Sequence, residues 1–304
     1  MPIKSVNVRV PAKVNLQLSV GPREDDGFHN VVSVFQAISI FDEVKISLTE
    51  PNSGIQISIS GEQTHGVPAD SNNLAVQAAL LMAKEYDLDL DIHIEIKKSI
   101  PVAGGMAGGS ADAAATIVGL DYLFSLGMNR EEMADIAARL GSDVPFMLNG
   151  GTAIGTGHGD QLMSALSRGT YHWVLALSSS GLSTPAVYAE CDRLRTGLEI
   201  VEPQTNEALM QALLAADPES VGAALVNDLQ PAACSLRPAL RLVLDVGQEY
   251  GALGALVSGS GPTVAFLVAD EEAGLDLAVA LTSSGVVGSV ARAYGPVAGA
   301  KVIP

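Results

Sequence analysis

The chain has 304 residues, near the length at which one hydrophobic core gives way to two. Its 48% hydrophobic and 17% charged residues describe a core-rich globular protein and exclude a disordered one. A net charge of −17 with only 17 Lys+Arg argues against nucleic acid or an anionic membrane surface as partner, and leaves a local basic site for an anionic substrate as the place where cations would stand out.

Cys191 and Cys234 are the only cysteines, so neither a disulfide framework nor a cysteine zinc site is expected, and a reducing cytoplasm fits best. Met1-Pro-Ile-Lys-Ser leads directly into a strand without an apolar signal core. The longest uncharged run, 251–269, is interrupted by Ser258-Gly-Ser-Gly-Pro262, which predicts two buried strands around a turn instead of a membrane span. A soluble, cytoplasmic protein is expected.

In chain order, residues 3–10 and 14–20 alternate like a pair of strands with Pro11-Ala-Lys13 between them. A polar loop, 21–29, follows. Val31 to Ile40, Glu43 to Leu48 and Ile55 to Ile59 read as further strands, parted by Asp42-Glu43 and by Pro51-Asn-Ser-Gly54. Ser71-Asn-Asn73 suits the N-cap of a helix from Leu74 to Tyr86. Leu90 to Lys98 alternates again, and the spacing of Ala and Leu predicts a helix from Asp112 to Leu126 before Gly127. A helix over 130–140 and a hairpin or hinge in the five glycines of 149–159 complete the first half. The second half predicts strand 173–178, helices near 185–195, 205–216 and 235–249, strands 252–258 and 263–268, helix 271–282 and strand 286–293. The change of style near 155–172 marks a candidate boundary between two α+β layers that share a cleft.

Between the strand ending at Lys98 and the following helix lies Pro101-Val-Ala-Gly-Gly-Met-Ala-Gly-Gly-Ser110. Glycine accepts positive φ and adds no Cβ, so such a loop can aim several backbone N–H groups at one point. The helix behind it adds unpaired N–H groups and its dipole, a combination suited to phosphate. Close packing on a neighbour is the competing reading. No Gly-Lys-Ser/Thr follows, so it is not a Walker A loop; the G-G-x-x-G-G spacing and the lack of an evident βαβ repeat argue against a dinucleotide fingerprint.

Two other stretches call for an explanation, Pro11-Ala-Lys13-Val-Asn15 and Ser258-Gly-Ser-Gly-Pro-Thr263. Taken singly, Lys13 reads as an edge-strand charge, 258–263 as hairpin chemistry, and Asp143, before Pro145, as a helix N-cap. Together the order P-A-K-x-N, P-x-x-G-G-x-x-G-G-S, G-S-D-V-P-F and S-G-S-G-P-T resembles the GHMP small-molecule kinases from about residue 9 onward. The resemblance implies an α+β, two-domain GHMP kinase fold, with a ribosomal protein S5 domain 2-like ATP-binding domain over 1–160, an α+β domain over 161–304, and the active site in the cleft between them.

It also implies an enzyme using ATP and Mg²⁺. Lys13 and Asp143 would be the catalytic pair. Pro101, Val102, Ala103, Gly104, Gly105, Met106, Ala107, Gly108, Gly109, Ser110, Ala111 and Asp112 would bind ATP, with Ser110 near the β/γ oxygens or the metal. Gly259, Ser260 and Gly261 would close the phosphate cleft from the C-terminal half. The Asp-Gly-Phe-His29 loop, Asn73-Leu74 and Ser183-Thr-Pro185 are most similar to the branch of the family whose alcohol acceptor is 4-diphosphocytidyl-2-C-methyl-D-erythritol. In that branch Phe28 and Tyr188 would flank the cytosine, His29 would read its edge, and Asn15 and Thr184 would complete the substrate site. The family loop usually reads G-G-G-L-G-G-G-S-S-N; Ala107 and Ala111 depart from it, and positive φ is not expected at 107. Phe28 stands where a tyrosine is common. The alternatives are another kinase of the superfamily, acting on homoserine, mevalonate or a sugar, and a nucleotide-binding regulator on the same fold; for the chain itself both monomer and homodimer stay open.

Overall fold

The structure, a computed structural model, describes residues 4–178 and 180–304; Ile3, expected to open the first strand, lies outside them. The chain begins with β1 (Ser5–Arg23) and β2 (His29–Leu48), a long antiparallel hairpin. Each is one strand where the sequence predicts two. Pro11, which lacks an N–H to donate, sits beside a shift of register between Pro11 and Ala12, so pairing continues past it. Asp42 and Glu43, expected as a break in β2, pair with Val10 and Arg9.

β3 (Ile55–Gly61), α1 (Leu74–Tyr86) and β4 (Ile92–Lys98) come next. β3 and β4 are parallel, so these three elements do form a βαβ unit, directly ahead of the glycine loop. The side chain of Asn73 caps α1 by accepting from the Ala75 N–H, as the sequence predicts. Ile92, Ile94 and Ile96 point inward from β4 and are fully buried, each contributing about 2 kcal/mol by transfer from water.

α2 (Gly108–Phe124), α3 (Arg130–Ala138) and α4 (Val144–Asn149) follow. α2 starts four residues earlier than expected. It is buried along most of its length, because its run of alanines lets it lie close against the β1–β2 hairpin and α1. The hairpin of β5 (Thr152–Thr156) and β6 (Gln161–Ser164) extends the sheet from β2. It therefore carries residues 161–164 in the first sheet, beyond the expected boundary at 160/161.

The second half holds β7 (Tyr171–Leu177), α5 (Thr184–Leu194), α6 (Glu207–Ala215), α7 (Pro218–Ala223), β8 (Val226–Asn227), α8 (Gln230–Leu236), α9 (Ala239–Glu249), β9 (Gly254–Val257), β10 (Val264–Val268), α10 (Glu271–Ser284), β11 (Ser289–Gly295) and β12 (Lys301–Ile303). β11-β7-β10-β9 is an antiparallel sheet whose outer face, with Val174, Val264 and Phe266, forms a second core under the helices. α7, β8, α8 and β12 are absent from the sequence reading. Two of them stitch the halves together: β8 runs parallel to β1 at Gln17 and Leu18, and β12 pairs with β1 at Asn7 to Arg9. Such short pairings across more than 200 residues carry no local sequence signal. Trp173 Nε1 donates to Gln36 Oε1 at 3.0 Å, a further tie between the two sheets. Among the described residues no helix is long and apolar enough to cross a membrane.

Candidate active site

The middle of β1 alternates with period two, so Ala12, Val14 and Leu16 enter the core while Lys13 and Asn15 share the opposite face. Because both faces of the strand are covered here, Lys13 is 4% exposed and no edge-strand charge. Its Nζ donates to Asn15 Oδ1 at 2.6 Å; Asn15 Nδ2 donates to Ser33 Oγ at 2.7 Å, and Ser33 Oγ to the Gln17 carbonyl at 3.0 Å. This chain of bonds fixes the ammonium.

Asp143 occupies the N-cap position of α4 but makes no capping hydrogen bond. Its Oδ2 faces Lys13 Nζ at 3.7 Å. The carboxylate side chain is 30% exposed and the lysine 5%, so a substrate can reach the first while the second stays covered. Burial pushes the Lys13 ammonium below its ordinary range, and attraction to Asp143 offsets part of that shift.

The glycine loop packs against the second glycine turn. Ser258 Oγ donates to the Gly105 carbonyl at 3.1 Å, and the Thr263 N–H to the Gly104 carbonyl at 3.4 Å. Gly105 has φ +76°, and a Cβ there would lie 1.9 Å from the Ser258 carbonyl oxygen, so only glycine fits. Contrary to expectation, Ala107 also takes positive φ, at +60°, as does Ala103 at +50°. Each costs about 1–2 kcal/mol, which the surrounding contacts override.

α2 has no side-chain cap and no acidic residue in its first turn, whereas Asn73, Asn129 and Asp270 cap α1, α3 and α10. Its first N–H groups thus remain free for an anion. They open onto a cavity of about 520 Å³ lined by Lys13, Asn15, Asp143, Ser110, Gly259 and Ser260, and by Pro101, Ala103, Gly104, Gly105, Ala107, Gly108 and Gly109 of the loop.

Of the twelve residues expected at the nucleotide, Val102, Met106, Ala111 and Asp112 are absent from that wall. Met106 and Ala111 are core residues. Asp112 is 1% exposed and faces backward, where its Oδ2 accepts from Lys98 Nζ at 2.7 Å. The reason is the early start of α2, which turns positions 111 and 112 onto the inward face of the helix. Lys98 also meets Asp42 Oδ2 at 2.5 Å. Burial, opposed by Lys98 and reinforced by Asp42, pushes the Asp112 carboxyl up to about 8.

A second cavity, of about 580 Å³, adjoins the first. Four of the five expected substrate residues, Phe28, His29, Thr184 and Tyr188, line it, while Asn15 lines the first cavity. Tyr188 and Thr184 line both cavities, and Thr184 Oγ1 lies 2.8 Å from Ser260 Oγ, joining the start of α5 to the second glycine turn. The Tyr188 phenol is pushed up to about 12 by burial and by the charge of Asp143. Its ring lies 5.4 Å from that of His29, whose Nδ1 meets the Gly21 carbonyl at 3.0 Å and whose Nε2 meets Asp192 Oδ1 at 3.3 Å.

The sequence reading missed His158 and Asp192. His158 stacks on Phe28 at 5.2 Å and lines both cavities from the tip of the β5–β6 hairpin. Its signal was its place between Gly157 and Gly159. Arg23 and Lys13 are the only Lys or Arg side chains among the described residues that line the two cavities.

A two-sheet α+β fold with a glycine loop at an uncapped helix start, facing a Lys–Asp pair, belongs to a class that family comparison identifies. The models for the GHMP kinase N-terminal domain and C-terminal domain match residues 73–151 and 209–287. The chain belongs to the GHMP kinases, with the two-domain fold of that family. It is 51% identical over 302 residues to the 4-diphosphocytidyl-2-C-methyl-D-erythritol kinase of Mycolicibacterium smegmatis, covering 99% of this chain and 93% of that one. It is also 51% identical to the enzyme of the same name from Thermobifida fusca, covering 98% of each. A crystal structure of 4-(cytidine 5'-diphospho)-2C-methyl-D-erythritol kinase superposes with a TM-score of 0.75 at 28% identity, over 94% of this chain and 98% of that one.

Proposed function

We propose that this chain is an ATP-dependent kinase that phosphorylates the 2-hydroxyl of 4-diphosphocytidyl-2-C-methyl-D-erythritol, giving the 2-phosphate and ADP in the non-mevalonate isoprenoid route. The carrying observation is the Lys13–Asp143 pair, set in a cavity suited to phosphates and bordered by an aromatic cavity suited to a flat base. Full-length relatives that bear this enzyme's name support the same reading.

In this mechanism the loop amides and the first turn of α2 hold the ATP phosphates. Phosphoryl transfer needs mainly positioning and charge stabilisation. Asp143 accepts the proton of the 2-hydroxyl as the new O–P bond forms and the bond from the γ-phosphorus to the bridging oxygen breaks, releasing ADP. Lys13 holds the carboxylate in place and stabilises the charge on the moving phosphoryl group. Phe28 and Tyr188 flank the cytosine and His29 reads its edge, with Asn15 and Thr184 beside the acceptor.

A magnesium ion fits this site only as part of the nucleotide. Among the described residues the one convergence of three His, Cys, Asp or Glu side chains is the exposed group Glu24, Asp26 and His158, which includes no residue of the glycine loop. The ion would be held by phosphate oxygens and water, with the Ser110 hydroxyl as its protein ligand, and would neutralise phosphate charge.

Two results test this reading. Phe28→Ala and Tyr188→Ala are each expected to raise KM for the cytidine substrate about tenfold, as loss of one stacking partner implies, with KM for ATP nearly unchanged. An unaltered acceptor KM in both variants would remove the base from this cavity. The second result concerns pH. Transfer requires the Lys13 cation, whose pKa is lowered from 10.5, so activity falls as pH rises through a value below that of a free lysine. Lys13→Arg should carry whatever activity it keeps to higher pH. An alkaline limb that Lys13→Arg leaves where it is would show that the Lys13 charge does not set it.

A further inference from the structure

Lys98 ends β4 and is 1% exposed, in a cluster the mechanism above does not use. Two bonds run from this cluster to the start of the glycine loop: Asp42 Oδ1 accepts from the Ser99 N–H at 2.6 Å and from the Ile100 N–H at 2.9 Å. Two run to its end: Lys98 Nζ donates to the Gly108 carbonyl at 3.2 Å and to Asp112 Oδ2 at 2.7 Å. The direct Lys98–Asp42 contact joins the two sets. Between them lie Gly104, Gly105 and Ala107, whose backbone faces the first cavity.

A buried lysine set between two buried carboxyls is a poor way to stabilise a fold, since apolar side chains of similar volume usually do as well or better. What such a cluster does supply is direction. Its bonds fix where the loop leaves β4 and where α2 begins, and so where the N–H groups point.

We propose that Lys98, Asp42 and Asp112 form a positioning cluster for the nucleotide, tying both ends of loop 99–109 to β2 and β4 so that its amides are preset for the phosphates. The inference rests on the kinase reading above and adds to it three residues that touch neither substrate.

The test measures two properties side by side, the thermal midpoint and the Kd for magnesium adenosine 5'-(β,γ-imido)triphosphate, titrated without acceptor. Asp112→Ala removes one tie at the loop's end yet leaves Lys98 paired with Asp42, so no buried charge is stranded. It is expected to keep the wild-type midpoint and to bind the analogue about tenfold more weakly, the scale of loss that small misplacement causes. Asp112→Asn retains an acceptor for Lys98 and should restore most of that loss. The combined Asp42→Asn, Lys98→Met and Asp112→Ala variant carries no charge in the cluster and should bind more weakly still. If Asp112→Ala and the combined variant bind the analogue as the wild type does, the cluster is structural only and the proposal fails. If the wild type binds no analogue, the kinase reading falls and takes this inference with it.

Discussion

Asp143→Asn is expected to lower kcat by about 10²–10⁴, the usual contribution of a positioned general base, while the Kd for ATP stays within about threefold. The amide has nearly the shape of the carboxylate but cannot take the hydroxyl proton. The variant should fold, because Asp143 makes no capping bond to α4 and its side chain is 30% exposed. Lys13→Ala should lose activity to a similar degree, with a further cost in stability: the buried chain from Lys13 through Asn15 to Ser33 would lose its first donor. Turnover within a few fold of wild type in Asp143→Asn would remove Asp143 as the base.

Gly105→Ala is expected to cost about 3 kcal/mol of stability and to abolish tight ATP binding. About 1 kcal/mol comes from holding alanine at φ +76°. The rest comes from overpacking, since the new Cβ would stand 1.9 Å from the Ser258 carbonyl oxygen and 3.0 Å from the Gly261 nitrogen. The two glycine turns must then separate, and the loop amides lose their aim. Gly127→Ala separates the two effects: it has φ +68° with open space around it, so it should show the strain alone. Chemical denaturation and nucleotide titration of both variants check this. Equal stability losses in the two would show that the contact between the turns is unimportant.

The parts of the site that were legible in the sequence are those whose chemistry is local. Lys13 and Asn15 stood out as a lone Lys and Asn in an apolar strand pair, although alternation left Lys13 in the connection between two strands, and the glycines between a strand and a helix marked the loop. The second turn, 258–261, was legible as a turn; Ser258 Oγ donates to the Gly105 carbonyl, and Gly259 and Ser260, but not Gly261, line the first cavity. What was not legible depends on distant partners. Asp112 reads as a nucleotide-binding residue at the start of a helix until Lys98 and Asp42, from two other strands, are seen behind it. The strain at Ala107 is invisible in composition, because an alanine takes positive φ only where its surroundings force it. His158 belongs to a hairpin tip that reaches Phe28 only after folding. The same holds for β8 and β12, too short to signal themselves, and for β1 and β2, whose bulges look like breaks in a linear reading.

The most direct test of the account is ADP release with MgATP and 4-diphosphocytidyl-2-C-methyl-D-erythritol, run beside mevalonate, homoserine and galactose. The account predicts turnover with the cytidine substrate alone, lost in Asp143→Asn. Turnover with one of the other alcohols in its place, or with none of the four, would contradict it.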